Sequence, residues 1–161
     1  PYALQEEDLP ELEAEYERLA EYLKDHPETN FFHFNVDLAQ GPCVIKRLRG
    51  CGAGCEYVAI TPEGDIYPCH QFVGNEDYRL GSVHDGTFDK ELSGRFAGLN
   101  IYTREECRDC WARFYCSGGC SASNLLVNGD IKKPHRVGCE LERKRLECAI
   151  ALRAIAAGMA D

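Results

Sequence analysis

The chemistry legible in this chain is concentrated in ten cysteines: Cys43, Cys51, Cys55, Cys69, Cys107, Cys110, Cys116, Cys120, Cys139 and Cys148. Four of them form a tight run, Cys107-x2-Cys110-x5-Cys116-x3-Cys120. Two cysteines separated by two residues can reach one metal centre from a single turn. Thiolate is a soft ligand, matched to iron–sulfur clusters, zinc or copper(I). A structural zinc site closes with four ligands, most often as two CxxC-like pairs, and gaps of x2, x5 and x3 are less usual for it. Gly118 and Gly119 inside the run leave room for a bulky inorganic core and offer backbone N–H groups to sulfide. By pattern alone an iron–sulfur cluster comes first and a non-catalytic zinc-binding interaction domain second. A disulfide-stapled domain comes third: the count is even, but the cysteines crowd together beside glycines.

Other chemistry-bearing residues are sparser. His70 directly follows Cys69, and His33 sits in an aromatic stretch, FFHFN, where a satisfied core histidine is the ordinary reading. Trp111, Phe114 and Tyr115 lie within the cysteine run, where they are expected to shield a metal group from water. Cys148, beside Ala149 and Ile150 in a helical stretch, reads as a buried small hydrophobe. Gly50-x-Gly52-x-Gly54 lacks the strand–turn–helix context of a nucleotide loop.

The elements that must position these residues follow from periodicity. Residues 6–24 repeat Leu9, Leu12, Tyr16, Leu19 and Leu23 on one stripe, which predicts an amphipathic helix with Asp8 at its cap and Pro10 in its first turn. FFHFNV, residues 31–36, reads as a short strand, so residues 1–42 are expected to be one αβ unit and its linker. Residues 56–69 predict a hairpin, YVAIT and DIYPC around Pro62-Glu63-Gly64, with LGSV as a further strand and HDGT as a turn. Residues 88–99 predict a short helix, residues 107–124 mostly loop, and residues 139–157 a second strong helix. The expected organisation is 1–42, a cysteine-rich domain at 43–139, and a C-terminal helix at 140–161.

A net charge of −9 argues against a nucleic-acid partner, which would need a basic patch. No apolar run is long enough to span a membrane. The sequence begins at Pro1 and is read as a piece of something longer.

The run does not stand alone. Upstream lies Cys51-x12-Gly64-x4-Cys69, and downstream sits Cys139. Together these seven cysteines resemble the SPASM pattern found at the C-terminus of radical SAM enzymes that modify peptides and proteins. NFFHFNVDL, QGPCVIKRL, CGAGCEY and YPCHQFVGNEDYRLGSV are further similar to the maturases of six-cysteine SCIFF peptides. The resemblance implies an α+β fold: the last αβ unit of a partial radical SAM barrel, then a SPASM domain of short β-hairpins and cluster-binding loops, then a C-terminal helix. It also implies two 4Fe–4S clusters. The first would take Cys51, Cys69 and Cys120, with Cys55 or Cys43 as a fourth ligand or one iron left open. The second would take Cys107, Cys110, Cys116 and Cys139. The implied protein is a cytoplasmic enzyme that joins thioether cross-links in a ribosomally made, cysteine-rich precursor peptide. At His70 the sequence departs from sulfatase-maturing relatives, which carry Asp after the equivalent cysteine, so no base role transfers. The C-x3-C-x2-C loop that binds S-adenosylmethionine is absent too, because Cys51-x3-Cys55 is followed by Val58 at the third position. That cofactor is therefore expected only with an N-terminal radical SAM domain, and the enzyme status of these residues alone stays open.

Overall fold

The computed structural model describes residues 3–38 and 44–159. In chain order its elements are α1 (Leu9–Asp25), α2 (Val44–Arg49), β1 (Ala59–Ile60), β2 (Asp65–Tyr67), β3 (Gly81–Ser82), β4 (Thr87–Phe88), α3 (Lys90–Ala97), α4 (Glu105–Arg108), α5 (Arg113–Cys116), α6 (Ser121–Asn128) and α7 (Arg136–Ala156). Single 3-10 turns lie at Glu6–Asp8, Phe32–Phe34, His70–Phe72 and Glu76–Tyr78. The described residues fall into two compact units, 3–38 with 135–159, and 44–134.

The first unit is built on α1 and α7. Leu9 and Leu23 of α1 and Val137, Leu146, Cys148 and Ala149 of α7 are buried. Arg136 pairs with Glu6 at 3.2 Å, Lys144 pairs with Glu17, and the Cys148 thiol lies 3.7 Å from the Tyr16 carbonyl. Ascending positions on one helix meet ascending positions on the other, so the two run parallel. The predicted helix at 6–24 starts later, at Leu9, because residues 6–8 form a 3-10 turn. There the Asp8 carboxylate accepts from the Gln5 N–H at 2.8 Å. The second long helix begins at Arg136 rather than Cys139.

FFHFNV is not a strand, which corrects the expectation. Its N–H groups turn inward on the segment itself: Phe34 to the Phe31 carbonyl at 3.0 Å, Asn35 to that of Phe32 at 3.1 Å and Val36 to that of Phe34 at 2.8 Å. A strand needs a neighbour for its backbone groups. Among the described residues no strand pairs with this one, and local bonds take over. The aromatic side chains pack on each other and on α1, with Phe31–Phe34 centroids 5.0 Å apart and Tyr16–Phe34 5.8 Å apart.

The second unit holds a four-stranded antiparallel meander in the order β1-β2-β3-β4. Ala59 faces Tyr67, Asp65 faces Ser82, and Gly81 faces Phe88. The hairpin at Pro62-Glu63-Gly64 is present, closed by the Gly64 N–H on the Thr61 carbonyl at 2.9 Å. At Gly81 the strands approach so closely that a Cβ would stand 2.1 Å from the Thr87 carbonyl oxygen. Ile66, Tyr67, Phe72, Leu80, Leu92, Phe96, Leu99, Ala122 and Ile131 pack into one core. Helix α3 is capped by Asp89, whose carboxylate accepts from the Leu92 N–H at 2.8 Å.

Residues 107–124 are more helical than expected, which is a second correction. Helices of four residues, α4 and α5, are too short to show a period in sequence, and α6 takes SASNLLVN. Helix α2 also had no sequence signal; the Ile101 N–H fastens to its Leu48 carbonyl at 3.0 Å. Among the described residues no helix is long and apolar enough to cross a membrane.

Candidate metal centre

The residues around Cys51 fold as a turn that fixes itself to the segment between β2 and Cys69. The Gly54 N–H reaches the Pro68 carbonyl at 2.9 Å and the Tyr57 carbonyl at 3.0 Å, and the Ser93 hydroxyl donates to the Gly54 carbonyl at 2.7 Å. These bonds bring Tyr57 over two thiols. Its hydroxyl lies within reach of both the Cys51 and Cys69 sulfurs. Burial first, and then the two sulfurs, push the Tyr57 hydroxyl up to about 12. It stays a proton donor facing them at any physiological pH.

Cys120 approaches from far along the chain, its sulfur 3.8 Å from the Gln71 amide nitrogen. Gln71 lies in the 3-10 turn directly after Cys69. Cys55 turns its thiol to the Gly52 carbonyl at 3.4 Å, within its own loop. Cys43 lies outside the described residues.

Cys107 and Cys116, like Cys120, lie close enough to Arg104 to act on its charge, and Cys110 acts on Cys107. Cys107 is buried, and its thiol is pushed up to about 11, by burial first and then by Cys116 and Cys110, with Arg104 opposing. The N–H of Cys110 bonds the Cys107 carbonyl at 3.2 Å, so the x2 gap forms the expected single turn. Ser117 at φ 59° ends α5, and the turn runs on through Gly118 to Cys120. Arg104 is 4% exposed. Its Nη1 donates to the Ile131 and Lys132 carbonyls at 2.6 and 2.7 Å, and its Nη2 to the Ser121 hydroxyl at 3.0 Å. Burial lowers its pKa, while Cys107, Asp130, Cys116 and Cys120 act in the opposite sense.

Cys139 stands on α7 in the first unit, whereas Cys107, Cys110 and Cys116 belong to the second. Cys148 is buried, in keeping with its reading as a small hydrophobe. His70 is exposed, and His33 accepts or donates at Nδ1 with the Tyr16 hydroxyl, 2.9 Å away. Trp111, Phe114 and Tyr115 are each more than a third exposed, with the Arg113 guanidinium over the Phe114 ring. Among the described residues no three His, Cys, Asp or Glu side chains are arranged to hold one metal ion. The donor set is thiol-rich and fits a thiolate-bound iron–sulfur group in chemistry.

Tyr57, Gln71 and Arg104 were not found by sequence reasoning. Each lies within three residues of a cysteine, and that proximity was the available signal.

Comparison with known proteins agrees with this chemistry. Residues 51–111 match the family model of the SPASM domain, described as an iron–sulfur cluster-binding domain. The match takes in Cys51, Cys55, Cys69, Cys107 and Cys110. A protein of Archaeoglobus fulgidus is 31% identical over 101 residues, 60% of this chain and 24% of its own. A PqqA peptide cyclase of Xanthomonas axonopodis pv. citri is 28% identical over 102 residues, 59% of this chain and 27% of its own. A mycofactocin maturase of Mycobacterium ulcerans is 31% identical over 111 residues, 65% of this chain and 29% of its own. The chain thus spans about a quarter of the length of the curated relatives it matches.

Proposed function

We propose that these residues are the auxiliary iron–sulfur module of a radical SAM peptide maturase of the thioether-forming, SCIFF-like class. The observation that carries the reading is the gathering of Cys51 and Cys69 beneath one tyrosine hydroxyl, inside the stretch that matches an iron–sulfur cluster-binding domain. Two 4Fe–4S clusters are proposed. Cys51, Cys69 and Cys120 would hold the first, with Cys55, Cys43 or an open iron completing it. Cys107, Cys110, Cys116 and Cys139 would hold the second. Such groups supply a one-electron centre and, where an iron is open, a place for a substrate thiolate.

The chain's own residues have definite tasks in this reading. Tyr57 donates toward the sulfurs of Cys51 and Cys69, and Gln71 toward that of Cys120; hydrogen bonds to sulfur tune a cluster's potential. In this reading Cys116 and Cys120 serve different groups, with the positive-φ turn at 117–119 between them. A radical SAM domain ahead of residue 1, whose barrel would end in residues 1–42, is proposed to supply S-adenosylmethionine cleavage. The partner is a cysteine-rich precursor peptide, and the compartment the cytoplasm.

The test uses the full-length, anaerobically loaded protein with S-adenosylmethionine, a reductant and a cysteine-rich precursor peptide, read by mass spectrometry. Each thioether removes one C–H and one S–H hydrogen, so the product lightens by two hydrogens per cross-link and those sulfurs resist alkylation. A loaded protein that cleaves S-adenosylmethionine yet leaves every peptide cysteine alkylatable would contradict the thioether assignment. Zinc in place of iron would favour a non-catalytic interaction domain.

A further inference from the structure

Arg104 is a buried cation with no carboxylate in ion-pair contact among the described residues. Its five donors meet two backbone carbonyls and one hydroxyl. Removing a charge from water costs several kcal/mol unless an opposite charge compensates. The acidic groups that act most strongly on this guanidinium are Cys107, Asp130, Cys116 and Cys120. Asp130 is a carboxylate that acts from a distance; the other three are cysteines, and a thiol offers a cation no charge until it is deprotonated. Metal coordination deprotonates it.

Packing fixes the guanidinium against the turn that separates these cysteines. A Cβ at Gly118 would stand 2.9 Å from Arg104 Nε, so the cation lies directly on the backbone between Cys116 and Cys120. Its hydrogen bonds fasten it to the Ile131 and Lys132 carbonyls and to the hydroxyl of Ser121, the residue after Cys120. The guanidinium is therefore held beside this turn by packing and by three hydrogen bonds.

We propose that Arg104 is a positioning residue and the fixed counter-charge for the iron–sulfur groups held by the surrounding thiols, raising their reduction potentials. The inference rests on the iron–sulfur reading of these cysteines. Reduction adds negative charge to a cluster, and an immobile cation in a low-dielectric setting favours the reduced form. Because Cys116 and Cys120 are proposed to serve different groups, one guanidinium acts on both.

The experiment is a dye-mediated redox titration of the cluster-loaded protein, followed by EPR, with iron and sulfide counted per chain. The variants are Arg104→Met and Arg104→Lys. Arg104→Met is expected to shift the potential of at least one auxiliary cluster to more negative values. Arg104→Lys keeps the charge while losing the fork, and is expected to restore the wild-type potential even where it lowers stability. Wild-type potentials in Arg104→Met would overturn the inference. If Arg104→Met fails to fold or load, Arg104→Lys decides. Loading at wild-type potential supports the counter-charge, whereas failure to load in a folded Arg104→Lys chain overturns it. A wild-type protein without iron and sulfide would instead remove the iron–sulfur reading itself, so the two failures are distinct.

Discussion

Tyr57 shows how a single residue can bridge two segments, because the sulfurs of Cys51, in a loop, and of Cys69, just past β2, both act on its hydroxyl. Single residues also set the geometry around it. Gly81 allows β3 and β4 to approach, and Gly81→Ala would force a Cβ against the Thr87 carbonyl in a backbone conformation at φ 148°. A loss of about 3 kcal/mol is expected in denaturant titration. In the first unit, burial raises the pKa of Glu142 against the pull of Arg145, 2.5 Å away, and of His33. Unfolding returns this group to an ordinary carboxyl. It therefore favours the folded state below the unfolded value, and that contribution is lost as pH rises through the raised folded one. NMR titration of the side-chain carboxyl should find Glu142 releasing its proton above the exposed glutamates, and a midpoint at or below theirs would refute the burial argument. At this scale the cysteines were plain in the sequence because their close, regular spacing is a local signal. Tyr57, Gln71 and Arg104 were not, since their roles come from contacts such as Gln71 with Cys120, far apart in the chain.

Among elements, the short antiparallel meander does the positioning. It carries Cys69 at the exit of β2, and α3 braces the Cys51 turn through Ser93. The start of α3 depends on Asp89, so Asp89→Ala should cost about 1 kcal/mol of stability, with Asp89→Asn retaining most of it. Equal losses in both variants would show that the cap is not what holds the helix. The hairpin at residues 56–69 and the long helices were legible because their turn residues and apolar stripes are local signals. FFHFNV misled for a physical reason: β-favouring side chains do not make a strand without a neighbour to bond. The four-residue helices α4 and α5 escaped notice because one helical turn carries no period.

For the whole molecule, the chain divides into a helical unit and a thiol-rich unit. The central claim concerns the second, which takes in the match to an iron–sulfur cluster-binding domain. The most direct test is to count iron, acid-labile sulfide and zinc per chain in anaerobically purified protein, alongside an absorption spectrum. The account predicts about eight iron and eight sulfide with broad absorption near ~400 nm, as two 4Fe–4S clusters require. About two zinc per chain with no sulfide and no visible band, unchanged after cluster reconstitution, would contradict it.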